Sequence, residues 1–243
     1  MDAAETRPGA IPPSLGAQAG PTIAVLAVQG AFIEHERRLE RLGCTCVELR
    51  RKADLARPFD GLVLPGGEST AQAKLLRDLE MLEPLRERIA AGLPTLGTCA
   101  GLILLAERMT VGNRPNREGA RGATGPTDAV LPREDGAETL PGAFATLPIT
   151  VQRNAYGRQL GSFRAWAPFG EDAQGAAAAV PMTFIRAPRI VDVRDGARPL
   201  ASVEGSAVAV RFGSQIGCAF HPELEASDVV FERFLELVDE RGA

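Results

Sequence analysis

The stretch Pro94-Thr95-Leu96-Gly97-Thr98-Cys99-Ala100-Gly101-Leu102-Ile103-Leu104-Leu105-Ala106 begins as a short apolar strand and ends as an apolar helix. Between the two lies Gly-Thr-Cys-Ala-Gly, in which a cysteine has a glycine two residues away on each side. This spacing is typical of the G-x-S-x-G nucleophile elbow, with sulfur in place of oxygen. Because the sharp turn strains the backbone of its central residue, the close neighbours must lack a Cβ. The stretch therefore predicts a strand, a turn that presents Cys99, and a helix.

The predicted turn places Cys99 at the start of a helix. Free N–H groups and the positive end of the helix dipole would point at the sulfur, which favours the thiolate, the nucleophilic form. The N–H of Ala100 would also be placed to bind an oxyanion. A small cysteine buried in a strand-to-helix turn fits the same stretch. From these residues alone, both interpretations stay open.

Apolar runs that precede the elbow alternate with amphipathic helical patterns. The runs predict buried parallel strands at 22–28, 44–49 and 60–64, and the helical patterns cover 31–42, 69–80 and 83–91. This alternation predicts an α/β fold, a doubly wound, mostly parallel sheet with helices on both faces. Sites in such sheets form at the carboxyl ends of strands. Gln29, Gly66-Gly67 and Cys99 follow predicted strand ends, so one crevice can hold all three.

The second half of the chain is rich in predicted strands. The segment 111–142 holds Gly, Pro and charged residues with little apolar periodicity, which predicts a long surface insertion. After it we predict strands at 149–152, 180–185, 190–193, 200–203, 207–212 and 215–220, a hairpin turn at Gly213-Ser214, and a terminal helix at about 226–240. We expect one domain over 21–243. For residues 1–20 we predict a disordered extension. This stretch does not show the pattern of a secretory signal.

Composition argues against several classes of function. The net charge of −4 does not favour a nucleic-acid partner, and no apolar run reaches the roughly 18 residues of a membrane span. We expect reduced thiols at the four cysteines, which are Cys44, Cys46, Cys99 and Cys218. Reduced thiols predict a cytoplasmic protein. With two histidines and no ligand cluster, no metal site is expected.

Only His35 and His221 are available to activate a cysteine nucleophile. His35 lies in a charged helical pattern, so we expect it to face solvent or a subunit contact. His221 ends a predicted strand and is followed by Pro222 and Glu223. In an extended segment the carboxylate can accept from one ring nitrogen while the other faces the thiol of Cys99, as in a catalytic triad. His-Pro-Glu alone fits a loop-capping role equally well. Likewise, Pro65-Gly66-Gly67 fits either a tight strand exit or a second oxyanion donor.

Together these motifs resemble the class I glutamine amidotransferases. The motifs are Pro-Gly-Gly-Glu-Ser-Thr at 65–70, Gly-Thr-Cys-Ala-Gly-Leu-Ile at 97–103 and His-Pro-Glu at 221–223. Finer motifs resemble the glutaminase subunits of the two-component pyridoxal 5′-phosphate synthase: Val28-Gln29-Gly30-Ala31 with Glu34-His35, Arg153-Asn154-Ala155-Tyr156-Gly157-Arg158-Gln159, and Phe184-Ile185-Arg186-Ala187-Pro188. The resemblance runs from about 22 to 238 and is interrupted by the insertion.

The resemblance implies a role for each matched position. Cys99 would attack the amide of L-glutamine and form a γ-glutamyl thioester, His221 would shuttle protons, and Glu223 would orient His221. The N–H groups of Gly67 and Ala100 would bind the oxyanion. Contacts to glutamine would come from six residues: Gly67, Glu68, Ser69, Arg153, Ile185 and Arg186. Gln29 and His35 match a region that faces the synthase subunit, and the family needs neither a cofactor nor a metal.

The implied activity is hydrolysis of L-glutamine to L-glutamate and ammonia. The ammonia would pass to a separate synthase subunit that builds pyridoxal 5′-phosphate, the active form of vitamin B6, and docking of that subunit would switch the glutaminase on. The insertion at 111–142 departs from the family, and we expect it to loop out without disturbing the site. One alternative is the glutaminase subunit of another class I amidotransferase, and a second is a thiol-sensing or scaffolding protein without catalysis.

Overall fold

The computed structural model describes residues 20–111, 138–153, 162–170 and 179–242. Twelve strands in this part of the chain are β1 Thr22–Leu26, β2 Thr45–Leu49, β3 Gly61–Leu64, β4 Thr95–Thr98, β5 Ala106–Val111, β6 Leu147–Arg153, β7 Ser162–Pro168, β8 Ala179–Ile185, β9 Arg189–Val193, β10 Arg198–Val203, β11 Ser206–Phe212 and β12 Gln215–Cys218. Five α-helices accompany them: α1 Phe32–Arg41, α2 Ser69–Asp78, α3 Leu82–Ala90, α4 Ala100–Leu105 and α5 Val229–Gly242.

Seven strands form the main sheet in the order β10-β11-β12-β4-β3-β1-β2. The pairs β1–β2, β1–β3, β3–β4 and β4–β12 are parallel, whereas β10–β11 and β11–β12 are antiparallel. From β1 the chain moves to one side to form β2 and then to the other side to form β3 and β4. Such a reversal defines a doubly wound sheet and opens a crevice at the carboxyl ends of the strands on either side of it. The predicted α/β fold with a mostly parallel sheet is confirmed.

The reversal lies between β1 and β3, and the predicted motifs follow these strands. Gln29 comes shortly after β1, and Gly66-Gly67 comes shortly after β3. All four residues of β3 and all four of β4 are buried, as central strands of a parallel sheet covered on both faces should be. The predicted hairpin is also present, because Phe212 pairs with Gln215 across Gly213 and Ser214.

Two smaller sheets lie beside the main one, and each contains a strand that the sequence did not predict. The first has the order β5-β6-β9, and the second pairs β7 with β8. Strand β5 begins directly where α4 ends, at Ala106, and therefore leaves no turn signal in the sequence. Strand β7 does alternate, with Phe163, Ala165 and Ala167 less exposed than their neighbours. A period-two pattern could have revealed it.

The described part of the predicted insertion is attached to the domain. Glu138 forms an antiparallel bridge with Met109, and Leu140, which we expected in a surface loop, is buried. Residues 138–142 therefore pack on the domain instead of looping out, which corrects the predicted boundary. The rest of the insertion, the extension over 1–19, and the predicted motif from Asn154 to Gln159 lie outside the described residues. No helix of the described part is both long enough and apolar enough to cross a membrane.

Candidate active site

The predicted strand-turn-helix at Cys99 is present. Cys99 follows β4 and precedes α4, with a backbone φ of 48° and ψ of −97°. A Cβ added at Gly101 would collide with the carbonyl oxygen of Leu64, and one at Gly97 would lie 2.8 Å from the backbone of Gly101. The two glycines thus let α4 lie directly against the sheet. The positive φ lifts the Cys99 side chain out of the strand, and a residue holds such a conformation only where its surroundings impose it.

His221 and Glu223 form the second part of the predicted triad. Nδ1 of His221 lies 2.6 Å from Oε1 of Glu223, and the carboxylate is fully buried. The N–H of His221 donates to the carbonyl oxygen of Thr183 on β8, at 2.8 Å, which fixes the backbone next to the cleft. Residues Pro222–Leu224 form one turn of 3₁₀ helix, so the contact is made across a turn and not, as we predicted, in an extended segment.

The pKa values of the pair favour a charged imidazole beside a charged carboxylate. Burial would lower the pKa of His221, but hydrogen bonds to Cys99 and Glu223 and their charges raise it to about 10. Burial would raise the pKa of Glu223, but nearby His35 and the hydrogen bond from His221 hold it below its usual value. Protonated His221 beside ionised Glu223 is therefore the resting state at neutral pH. Such an imidazolium can donate a proton to a leaving group.

A cleft of about 330 Å³ opens above Cys99. The residues predicted to form the site line it together: Gln29, Gly67, Glu68, Ser69, Cys99, Ala100, Arg153, Ile185, Arg186 and His221. The carbonyl oxygen of Ile185 lies 4.0 Å from Sγ of Cys99. Arg186, the next residue, has a positive φ of 45°, which turns the chain sharply at the end of β8. Glu223 and His35, the remaining predicted residues, do not line the cleft.

The loop that follows β3 lies against the imidazole of His221. A Cβ added at Gly66 would collide with Cε1 of His221, and one at Gly67 would lie 2.5 Å from Oε1 of Gln29. The carbonyl oxygen of Gly66 accepts from the N–H of Ala31 at 3.0 Å. In a trans peptide the next N–H points the opposite way, so the N–H of Gly67 faces away from Ala31. Close packing against His221 leaves no room for a side chain at Gly66, whereas one at Gly67 would have to displace the side chain of Gln29.

Gln72, which was not among the predicted site residues, holds this loop in place. Its side chain is fully buried, and Nε2 donates to the carbonyl oxygens of Gln29, at 2.9 Å, and Pro65, at 3.2 Å. Oε1 of Gln29 in turn accepts from the N–H of Glu68 at 2.8 Å. The loops after β1 and β3 are thus held together by two glutamine side chains. A polar residue on the inner face of α2 was the available signal.

Glu68 and Arg153 meet at the rim of the cleft. The Glu68 carboxylate caps α2 by accepting from the N–H groups of Thr70 and Ala71, and it also accepts from Nη2 of Arg153 at 3.0 Å. Nη1 of Arg153 donates to Oγ1 of Thr70 at 3.0 Å. Burial would raise the pKa of Glu68, but these hydrogen bonds hold it below its usual value. The carboxylate of Glu68 thus stays ionised at the cleft.

His35 lies in a different environment from the one that we predicted. Its side chain is completely buried, so the expectation that it faces solvent or a subunit contact is wrong. Nε2 lies 3.1 Å from Oγ1 of Thr98 and 3.4 Å from Oε2 of Glu223. The charged neighbours of His35 suggested a solvated face, but α1 turns His35, Arg38 and Leu39 toward the interior. Gln29, by contrast, lies at the partly exposed edge of the cleft.

With this geometry in place, the comparison with known families is decisive. A model described as the SNO glutamine amidotransferase family matches residues 25–117 and 131–240. The chain belongs to this family. The subunit PdxT of pyridoxal 5′-phosphate synthase from Desulfitobacterium hafniense strain Y51 is 49% identical over 218 residues, which cover 90% of this SNO-family chain and 94% of the relative. The PdxT subunit from Corynebacterium jeikeium is 45% identical over 221 residues, with 90% and 98% covered.

Solved structures agree with the SNO assignment. A crystal structure described as a glutamine amidotransferase matches with a TM-score of 0.71 and 33% identity, and the match covers 89% of this chain and 98% of that one. A glutamine amidotransferase from Thermotoga maritima matches with a TM-score of 0.53 and 16% identity, over 93% and 84% of the two chains. The second similarity concerns the fold alone. The resemblance drawn from the motifs is therefore confirmed at the level of the family.

Proposed function

We propose that this SNO-family chain is a glutaminase that supplies ammonia to a separate synthase subunit for the formation of pyridoxal 5′-phosphate. It hydrolyses L-glutamine to L-glutamate and ammonia. The observation that carries the proposal is that Cys99 and His221 line the same open cleft and that Nδ1 of His221 lies 2.6 Å from Oε1 of Glu223. A nucleophile, a base and a group that orients the base are the three parts that covalent amide hydrolysis requires.

The reaction divides into two steps at Cys99. In the first, the thiolate attacks the side-chain carbonyl carbon of glutamine, and His221 donates a proton to the departing nitrogen, so that ammonia leaves and a γ-glutamyl thioester forms. In the second, His221 takes a proton from water, whose oxygen attacks the thioester. Glutamate leaves and the thiolate is restored. Glu223 keeps Nδ1 of His221 protonated, so that Nε2 is the nitrogen that exchanges protons with the reacting groups.

Two backbone N–H groups are proposed to stabilise the tetrahedral oxyanion. One is that of Ala100, at the start of α4, directly after the nucleophile. The other is that of Gly67, because its peptide points away from Ala31 and the residue lines the cleft. Donors fixed in the backbone need no reorganisation as the charge develops, which makes them effective in the transition state. The collision between a Cβ at Gly66 and His221 shows how closely this loop approaches the imidazole.

The polar rim of the cleft suits a free amino acid. Glutamine carries an α-ammonium and an α-carboxylate, and the rim holds the carboxylate of Glu68 together with the guanidinium groups of Arg153 and Arg186. We propose that the arginines bind the α-carboxylate and that Glu68 lies near the α-ammonium. Ser69, Gly67 and Ile185 complete the contacts. Binding would then redirect one donor of Arg153 away from Glu68, whose carboxylate keeps its two backbone donors.

The relatives are named as subunits of pyridoxal 5′-phosphate synthase, so we infer that this chain also works with a partner subunit. We propose that the synthase subunit docks at the edge of the cleft that Gln29 forms and receives the ammonia there. Since Gln29 bonds to Glu68, and its backbone to Gln72, docking at this edge would act on the loop that carries Gly67. The glutaminase would thereby be most active when the partner is present to consume the ammonia.

Ammonia release from L-glutamine tests the proposal, measured with and without the cognate synthase subunit and beside Cys99→Ala. We expect strong release with the partner, and its loss in Cys99→Ala. Release that does not depend on this partner would point to another amidotransferase complex. No release from a confirmed complex would contradict the proposed activity.

A further inference from the structure

His35 is a buried titratable group that the triad leaves unexplained. The mechanism uses Cys99, His221 and Glu223, yet a second histidine is fully buried behind them. Its ring packs against Phe231, with centroids 5.6 Å apart. Arg38, one turn further along α1, donates to the carbonyl oxygens of Glu225 and Ala226 and to the carboxylate of Asp228, so the helix is tied to the segment that follows Glu223.

Glu223 has one carboxylate oxygen that the triad does not use. Oε1 pairs with Nδ1 of His221, whereas Oε2 is buried and has no hydrogen-bond partner within standard geometry among the described residues. Nε2 of His35 is the basic atom beside it, at 3.4 Å. Burying an ionised oxygen without a hydrogen-bond donor costs free energy. A modest change in the angle of the His35 ring would let its Nε2–H donate to Oε2 of Glu223.

The same nitrogen lies 3.1 Å from Oγ1 of Thr98, the residue before the nucleophile. His35 therefore links the two ends of the proposed triad. On one side it faces Glu223, which pairs with His221, and on the other it contacts Thr98, the residue bonded to Cys99 in the chain.

The tautomer follows from these neighbours. A proton on Nε2 satisfies a carboxylate oxygen and a hydroxyl, whereas a lone pair there would face the negative charge of Glu223. Nδ1 has no hydrogen-bond partner among the described residues, as expected for the unprotonated nitrogen. Burial lowers the pKa of His35 despite the opposing charges of Glu223 and Glu34, and His221 and Arg38 lower it further, so the ring is neutral at pH 7.

We propose that His35 is a positioning residue for the proposed glutaminase, whose Nε2–H, shared between Thr98 and Glu223, fixes the carboxylate that orients His221. The inference rests on the proposed function only for its consequence in catalysis, because the contacts themselves exist in the free chain. Without this donor, Glu223 would rotate or take up water, and its hydrogen bond to Nδ1 of His221 would weaken.

Two substitutions of similar size distinguish the effect of losing the hydrogen-bond donor of His35 from the effect of losing its packing. His35→Gln can place an amide N–H where Nε2 lies, whereas His35→Leu keeps the contact with Phe231 but removes the donor. Because the chain has two histidines, nitrogen-15 NMR of histidine-labelled protein resolves each ring, and in either variant the remaining signal belongs to His221.

We expect wild-type His35 to be the neutral Nε2–H tautomer. In His35→Leu the pKa of His221 should fall by about one unit, as loss of a hydrogen bond to a charged group implies, and His35→Gln should restore it. In complex with the synthase subunit, kcat for ammonia release should fall about tenfold in His35→Leu at nearly constant KM, and His35→Gln should recover most of it.

Three results would overturn the inference. They are a wild-type His35 protonated at Nδ1, an unchanged pKa of His221 in His35→Leu, and a His35→Gln variant that folds but is as impaired as His35→Leu. Thermal unfolding of each variant distinguishes these results from loss of the fold. If His35→Leu does not fold, the tautomer of wild-type His35 still tests the inference, as do the pKa of His221 and ammonia release in His35→Gln. If the wild-type complex releases no ammonia, the proposed function fails, while the NMR measurements on the free chain still test the role of His35.

Discussion

Gly66 and His221 are in contact across the cleft: a Cβ built on Gly66 would collide with Cε1 of the imidazole and lie 3.0 Å from Nδ1. Gly66, in the loop that carries the proposed oxyanion donor, thus forms a wall of the pocket that holds the imidazole of His221. The loop after β3 and the turn after β12 cannot move independently at this point. Glycine is required here by space and not by backbone angle.

Gly66→Ala should therefore impair catalysis more than folding. The added methyl group must displace either the ring of His221 or the loop, and a displacement of about 1 Å at reacting groups costs about 100-fold in rate. Ammonia release in the presence of the synthase subunit measures the loss. Gly242→Ala is the matched control, since its Cβ would meet nothing within 4 Å. Full activity of Gly66→Ala would mean that His221 is free to move.

Gly101→Ala should instead destabilise the fold. Its Cβ would collide with the carbonyl oxygen of Leu64 and lie 2.9 Å from the Cβ of the same residue, so α4 must move away from β3. Overpacking of this kind costs about 1–3 kcal/mol. Urea unfolding beside Gly242→Ala measures the difference in the free energy of unfolding. A midpoint equal to that of the control would contradict the close packing of the elbow.

The stability of the protein should depend on pH through His221. Its pKa is raised from 6.5 in the unfolded chain to about 10 in the fold, so the stabilisation is fully present below pH 6.5 and is lost as the pH rises toward 10. Each unit of the shift corresponds to about 1.4 kcal/mol. Urea unfolding at several pH values should show a fall in the free energy of unfolding over this range. The fall should be smaller in His221→Gln, and equal slopes in the two proteins would refute the raised pKa.

Arg153→Ala should weaken glutamine binding more than turnover. If Arg153 binds the α-carboxylate, loss of a charge-assisted hydrogen bond should raise KM about tenfold, while kcat changes little. Arg189→Ala is a suitable control, because Arg189 is exposed, contacts Ser206 and does not line the cleft. An equal KM in both variants would leave Arg153 with its structural role at the cap of α2.

The strand-turn-helix at Cys99, the Gly-Gly loop and the pairing of His221 with Glu223 could be predicted because each depends on residues close in sequence, although the segment 221–223 forms a turn and not the extended segment we expected. Close packing leaves no room for a side chain at Gly97 and Gly101, so the sequence has glycine at both positions. The order of strands and helices, and hence the crevice, followed from patterns of apolar residues. Motifs at strand ends in a parallel sheet then had to meet, as they do in the cleft.

The role of His35 could not be predicted because it depends on packing between distant segments. Thr98 and Glu223 lie far from it in sequence, and its neighbours Glu34 and Glu36 suggested a solvated helix face. Strand β5 was missed for a related reason, since it follows α4 without a turn and carries charges at Glu107 and Arg108. Such elements take their form from partners that the local sequence does not reveal.

Trapping of the acyl-enzyme examines the nucleophile itself. The complex with the synthase subunit is mixed with L-glutamine, quenched in acid during turnover and digested, and the cysteine peptides are analysed by mass spectrometry. We predict a γ-glutamyl thioester on the peptide that contains Cys99 and on none that contains Cys44, Cys46 or Cys218, and no adduct in Cys99→Ala. Turnover of glutamine without an adduct at Cys99, or with an adduct at another cysteine, would contradict the assignment of Cys99 as the nucleophile.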